Sequence, residues 1–94
     1  GVVIVCNKNK TTTGIITDGN VRKLRQKNID FQKTIVKKVM TKKPIAINVD
    51  TLAIKALRIM NEKKITSLCV YKNTKKDKTT GLIHIHHILD ANIE

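Results

Sequence analysis

Aromatic residues are nearly missing from this chain: Phe31 and Tyr71 stand alone, and there is no Trp. A single-stranded nucleic-acid surface relies on rings that stack against bases, so that class starts without its usual means. Proline occurs once, at Pro44, and glycine four times, which excludes collagen-like and Pro/Gly-rich disordered chains. The two cysteines, Cys6 and Cys69, sit in apolar strand-like runs without CxxC spacing. That pattern predicts packed, reduced thiols of a cytoplasmic protein rather than a disulfide or a zinc site. No stretch approaches the roughly 18 apolar residues of a membrane-crossing helix, and GVVIVC is too short for a signal-peptide core. No membrane partner is expected. What remains is a 94-residue chain, 40% hydrophobic, sized for one small globular domain or two very small subdomains sharing a core.

Acidic residues are also scarce, seven against 19 Lys and Arg, for a net charge of +12. Such a balance suits either anionic ligands in general or a simply solvated surface. The lysines are scattered in small groups, at 37–38, 42–43, 63–64 and 72–78. With so few aromatics the expectation is no dedicated nucleic-acid partner.

What is present is a repeat. TTGII at 12–16 and TTGLI at 79–83 are offset by 67 residues, and at that offset Val3 falls on Val70, Lys8 on Lys75 and Ile16 on Ile83. Each copy predicts a strand, a polar hairpin closing on Gly (NKNKTTTG and KNTKKDKTTG), a second strand and a helix. Before the second copy, Ile35, Val36, Val39 and Met40 recur at helical spacing until Pro44 forbids continuation. IAINV at 45–49 alternates as a strand does. Asp50 and Thr51 offer N-cap oxygens to a helix whose stripe is Leu52, Ala53, Ala56, Leu57 and Met60, ending near Lys63 and Lys64. The complete unit is strand, helix, strand, strand, helix over about 45–92, and the first unit begins at its second strand.

In this order of elements the chain, through KVMTKKPIAINVDTLAIKALRIMNEKKITSLCVY, resembles a tandem CBS (cystathionine-β-synthase) domain. GIITDGNVRK, VMT, KITSLCV and GLIHIHHIL resemble more narrowly the C-terminal CBS pair of the arabinose-5-phosphate isomerases. The resemblance implies an α/β (α+β) fold, a CBS-domain pair of β-α-β-β-α units related by a pseudo-two-fold with the first unit truncated. The expected division is 1–33, the second half of the first unit, and 34–94, a linker and the complete second unit. A strand and a helix are expected to precede Gly1.

The turn after Gly14–Ile16 is the chemical candidate. A helix is expected to open at about Val21, leaving outward-pointing amides beside the Thr17 hydroxyl, the Asn20 amide and the Arg22 and Lys23 cations, a setting that attracts anions. Asp18, Gly19 and Asn20 equally suit a plain capped turn. The CBS ligand pattern resembles residues 14–20, and in that resemblance Thr17 contacts a phosphate and Asn20 a ribose diol. Asn20 stands where the family usually has Asp, which weakens the bond to a diol. The equivalents in the second copy are His84 and His87. If 84–86 runs on as a strand, His84 and His86 share a face and His87 points away; no metal site is expected from them. The base wall resembles Lys43–Ile47 and Ile65–Ser67. The ligand-contact set is therefore Thr17, Asp18, Asn20 and Arg22 in the first unit and Ile45, Ala46, Thr66, Ser67, His84 and His87 in the second.

What the resemblance implies for function is a cytoplasmic regulatory module sensing a nucleotide or sugar nucleotide. Its parent would be an isomerase that interconverts ribulose 5-phosphate and arabinose 5-phosphate for lipopolysaccharide precursors. No catalytic residues or resident cofactor are expected in this stretch. An N-terminal sugar-isomerase domain would be the partner in the parent chain, and a homodimer is expected through apolar CBS faces. A purely structural oligomerisation module, or the CBS pair of another host protein, is the alternative.

Overall fold

The computed structural model describes residues 1–90. Two compact units divide the chain after Pro44. The first contains β1 (Val2–Cys6), β2 (Thr12–Thr17), α1 (Asp18–Gln26), α2 (Val36–Val39) and β3 (Thr41–Lys42); the second contains β4 (Ala46–Asn48), α3 (Ala53–Lys63), β5 (Ser67–Tyr71), β6 (Thr79–His84) and α4 (Ile85–Asp90). Each unit has a three-stranded sheet, ordered β1-β2-β3 and β4-β5-β6. The class is thus mixed α/β, as expected.

The two hairpins are built alike down to an irregularity. In the first, antiparallel β1 and β2 pair Val2 with Thr17 and Val5 with Gly14, and then slip so that Cys6 faces Thr12. In the second, Ser67 faces His84, Val70 faces Gly81, and the same slip sets Tyr71 opposite Thr79. The extra residue is a threonine both times. Its hydroxyl bonds back across the bulge, Thr13 to the Val5 carbonyl at 3.2 Å and Thr80 to the Val70 carbonyl at 3.3 Å. The offset between the two copies is not uniform, contrary to the expectation from the sequence. The offset of 67 holds for β2 against β6, whereas β1 matches β5 at an offset of 65, so Val5, not Val3, corresponds to Val70. The second connection, 72–78, is two residues longer than 7–11, and a longer hairpin loop shifts the leading strand without disturbing the trailing one.

Around these hairpins the units differ. β4 runs parallel to β5, pairing Ala46 with Cys69 and Asn48 with Tyr71. In the first unit the third strand lies on the other side: β3 is antiparallel to β2, with Gly14 opposite Lys42 and Ile15 opposite Thr41. This two-residue strand is marked by no periodicity in the sequence. It explains Gly14, where a Cβ would sit 2.6 Å from the Met40 sulfur and 2.7 Å from the Thr41 carbonyl oxygen. Any larger residue would push β3 away.

The second unit owns the better core. Ala56 and Met60, one turn apart on α3, are buried with Leu68 of β5 and Ile88 of α4, ringed by half-buried Ile45, Ile47, Leu57, Ile59, Ile65, Ile83 and Ile85. Burial of this kind supplies about 1.5–3 kcal/mol per large aliphatic side chain. α3 begins one or two residues later than its expected caps: Asp50 and Thr51 turn onto Asn48, and Leu52 takes the N-cap without a side-chain bond and stays 72% exposed. The helix ends as expected, at Lys63, with Lys64 left-handed (φ 57°). The first unit buries Ile15 and Leu24. Cys69 is packed as expected, but Cys6, at the hairpin end of β1, is exposed. Among the described residues no helix is long and apolar enough to cross a membrane.

Candidate functional site

The candidate turn is a helix start, and it arrives three residues earlier than the sequence suggests. Thr17 is the N-cap of α1, in extended geometry. Its hydroxyl oxygen accepts the Asn20 backbone N–H at 3.3 Å, and the Asn20 Oδ1 accepts the Thr17 backbone N–H at 2.8 Å and the Thr17 hydroxyl at 3.0 Å. This reciprocal arrangement is a capping box, with Asn in the place more often held by Glu or Gln. Asp-Gly-Asn therefore forms the first helical turn rather than a loop ahead of it. The Asn20 Nδ2 donates to the Thr41 hydroxyl of β3 at 3.1 Å. Thr41 was missed as a member of this cluster because only the pairing of β3 brings it there. Asp18 is exposed, and its carboxylate meets the Gly1 ammonium at 2.7 Å. Arg22 projects from the exposed side of α1.

The second unit repeats this device with different chemistry. The Nδ1 of His87 accepts the His84 backbone N–H at 3.1 Å, the bond that Asn20 makes to Thr17. The Nδ1 of His84 accepts the His86 N–H at 3.2 Å. The histidines are not on opposite faces of a strand, because α4 begins at Ile85 and curls them together. The His84 and His86 rings stack with centroids 4.9 Å apart, and His87 stands edge-on to His84 at 6.3 Å. Among the described residues no group of three His, Cys, Asp or Glu side chains could hold a metal ion.

The pleat of the second sheet sorts the remaining candidates. Ala46 is paired with Cys69, and Ser67 with His84. Since alternate residues of a strand share a face, Ala46, Ser67, Cys69 and His84 lie together on the face away from α3. Ile45 belongs to the opposite face and packs into the core, while its carbonyl accepts the Cys69 N–H at 3.1 Å. Thr66 also faces the helix side. There it rims a groove of about 600 Å³ formed by Ile54, Leu57, Arg58, Asn61, Lys64 and Ile85 with Met60 and Ile65. Of the ten expected residues, three therefore converge on one face of the second unit, and Thr17 and Asn20 converge in the first.

Ser67 is the unusual member. It is only 5% exposed, and its Oγ has no hydrogen-bond partner. A buried hydroxyl left unpaired costs about 1–3 kcal/mol, so this atom is a ready donor and acceptor for any polar group brought against that face.

The family model for the CBS domain matches residues 36–94. Among curated proteins, the arabinose 5-phosphate isomerase KdsD of Escherichia coli K12 is 31% identical over 93 residues, covering 99% of this chain and 27% of that protein. The KdsD of Pseudomonas aeruginosa is 30% identical over 93 residues and 28% of its length. The chain thus spans about a quarter of the curated relatives it matches. An uncharacterised conserved protein from Pyrococcus horikoshii aligns with a TM-score of 0.86 at 23% identity, over all of this chain and 69% of its own. A CBS domain protein from Pyrobaculum aerophilum, complexed with AMP, aligns with a TM-score of 0.82 at 12% identity over 94% of this chain and 66% of its own. A CBS domain pair in complex with 5′-methylthioadenosine and S-adenosyl-L-methionine aligns with a TM-score of 0.83 at 18% identity, over 97% of this chain and 68% of its own. The repeated bulged hairpins, the matching helix starts and the family match lead to one assignment: the chain belongs to the CBS domain family.

Proposed function

We propose that this chain is the regulatory, ligand-sensing part of an arabinose 5-phosphate isomerase, and that it binds a nucleotide or sugar nucleotide. In the cytoplasm such a module would adjust the supply of arabinose 5-phosphate to lipopolysaccharide precursors. It would do so because the ligand binds one arrangement of a homodimer more tightly than another, and so biases the attached active sites. The observation that carries the reading is the unpartnered, buried Ser67 hydroxyl beside Ala46 and His84, a polar group that a ribose or phosphate oxygen would satisfy. Two further facts support it: the similarity to KdsD runs along 99% of the chain, and one structural relative is complexed with AMP.

The test is thermal melting and calorimetry of the 94-residue chain with AMP and with a sugar nucleotide. Saturable binding that raises Tm, as preferential binding to the folded state must, is expected for at least one of them. Ser67→Ala should weaken it by about tenfold, the equivalent of one hydrogen bond of about 1.4 kcal/mol. No binding of either compound up to millimolar concentration removes the sensor role.

A second reading has its own observation. The Thr17 and Asn20 side chains already satisfy each other, and His87 is engaged as a cap; a module kept only for assembly needs nothing more. Sedimentation separates the two, since an assembly module forms a dimer at micromolar concentration that no nucleotide perturbs.

A further inference from the structure

Charge is divided unevenly between the units: residues 1–44 hold eleven basic and two acidic side chains, residues 45–94 eight and five. In the first unit the excess converges on one region. Lys23 of α1 and Lys27, the residue that caps its C-terminus, border with Lys38 of α2 a pocket of about 400 Å³ that also contains the apolar Leu24, Ile29 and Val39. Lys38 borders a second recess of about 490 Å³ together with Lys37 and Lys42, so the two meet at one side chain. Among the described residues none of these five lysines has an ion-pair partner. The neighbouring acid, Asp30, is tied to its own turn: its carboxylate accepts the Gln32 N–H at 2.9 Å, and its carbonyl accepts the Thr34 hydroxyl at 2.7 Å.

Five like charges around adjoining recesses raise a positive potential that apolar walls concentrate and that salt only partly screens. A single phosphate offers one cluster of oxygens, whereas a chain of phosphates offers charge to the lysines of both recesses, which share Lys38. Lysine suits this task, being a compact point charge that accepts phosphate from many directions. We propose that the first unit carries a polyphosphate-binding groove, in which Lys23 and Lys27 on one side and Lys37 and Lys42 on the other hold a linear di- or triphosphate across Lys38. The ligand class is a phosphate chain, free or as the tail of a nucleotide. The groove needs no nucleoside recognition and stands apart from the Ser67 face; Asn20 touches its border, but that side chain is committed to Thr17 and Thr41.

Calorimetry of the 94-residue chain at near-physiological salt tests it, with inorganic tripolyphosphate, pyrophosphate and orthophosphate as probes. Affinity should fall in that order. The double variant Lys27→Ala/Lys38→Ala should weaken tripolyphosphate by about tenfold or more, each screened contact being worth several-fold. Removing the same charge from the exposed second hairpin, with Lys72→Ala/Lys75→Ala, should leave it nearly unchanged; circular dichroism checks that both variants remain folded. Equal weakening by the two variants would mean that net charge alone is at work and would overturn the groove. So would orthophosphate binding as tightly as tripolyphosphate, or a short oligouridylate binding more tightly than either. ATP, whatever it gains at the Ser67 face, should lose affinity with the lysine double variant as tripolyphosphate does; ATP binding indifferent to Lys27→Ala/Lys38→Ala would count against the groove. AMP separates this proposal from the sensor role, since its binding should respond to Ser67→Ala and not to the lysine variants.

Discussion

Val3 and Leu68 occupy the same place in the two bulged hairpins, one residue into the leading strand, yet Val3 is 60% exposed and Leu68 is fully buried. β1 is if anything the more apolar strand, VVIVC against SLCVY, and the register is the same, so the difference comes from what covers them. Leu68 lies under α3 and α4, against Ala56, Met60 and Ile88. The first unit, within residues 1–44, has no helix corresponding to α3 and no strand on the outer edge of β1. A hairpin motif therefore fixes where side chains point, while a neighbouring element decides whether pointing inward stabilises anything.

Truncating a side chain at equivalent positions gives the largest contrast. Leu68→Ala should cost about 2–5 kcal/mol, the range for an aliphatic side chain in a closed core, whereas Val3→Ala should change stability by less than about 0.5 kcal/mol. Urea unfolding of the two variants reads both values. Similar losses would mean that β1 is covered after all.

The two glycines sharpen the comparison on the trailing strand. Each follows the bulge by one residue, so on the hairpin side their surroundings agree. On the other side Gly14 abuts Met40 and Thr41, while the nearest atom to a Cβ on Gly81 is Val70 Cβ at 3.9 Å. Gly14→Ala is expected to cost about 1–3 kcal/mol through overpacking against β3, and Gly81→Ala to lie within about 0.5 kcal/mol of the parent. Denaturant midpoints for the pair measure the difference, and equal effects would contradict the placement of β3.

Much of this was legible in the residues. TTGII and TTGLI announced the repeat, and the Ala56/Met60 stripe announced the α3 core. The pairing of β1 was not, because the two loops differ by two residues and a fixed offset carried the longer hairpin's register onto the shorter one. β3 escaped because a two-residue strand, Thr41–Lys42, has no periodicity and exists only through its contact with Gly14 and Ile15. The start of α1 was placed late because Asp-Gly-Asn reads as a turn; the Asn20 side chain converts it to a first helical turn by bonding back to Thr17. His87 is a ligand contact in the sequence pattern, and its capping role follows only once α4 is seen to start at Ile85. The two-residue alternation that placed Ser67 and His84 on a common face is a property of the pleat. The burial of Ser67 depends on packing that no local pattern encodes.

Native-state hydrogen exchange of the backbone amides tests most directly whether the units share a hairpin but not its cover. β5 is bonded on both edges, to β4 and β6, and β1 on one, to β2. Slow exchange at successive amides from Leu68 to Tyr71, against an alternation of slow and fast amides from Val2 to Cys6, is the predicted result. Uniformly slow exchange along Val2–Cys6 would contradict it.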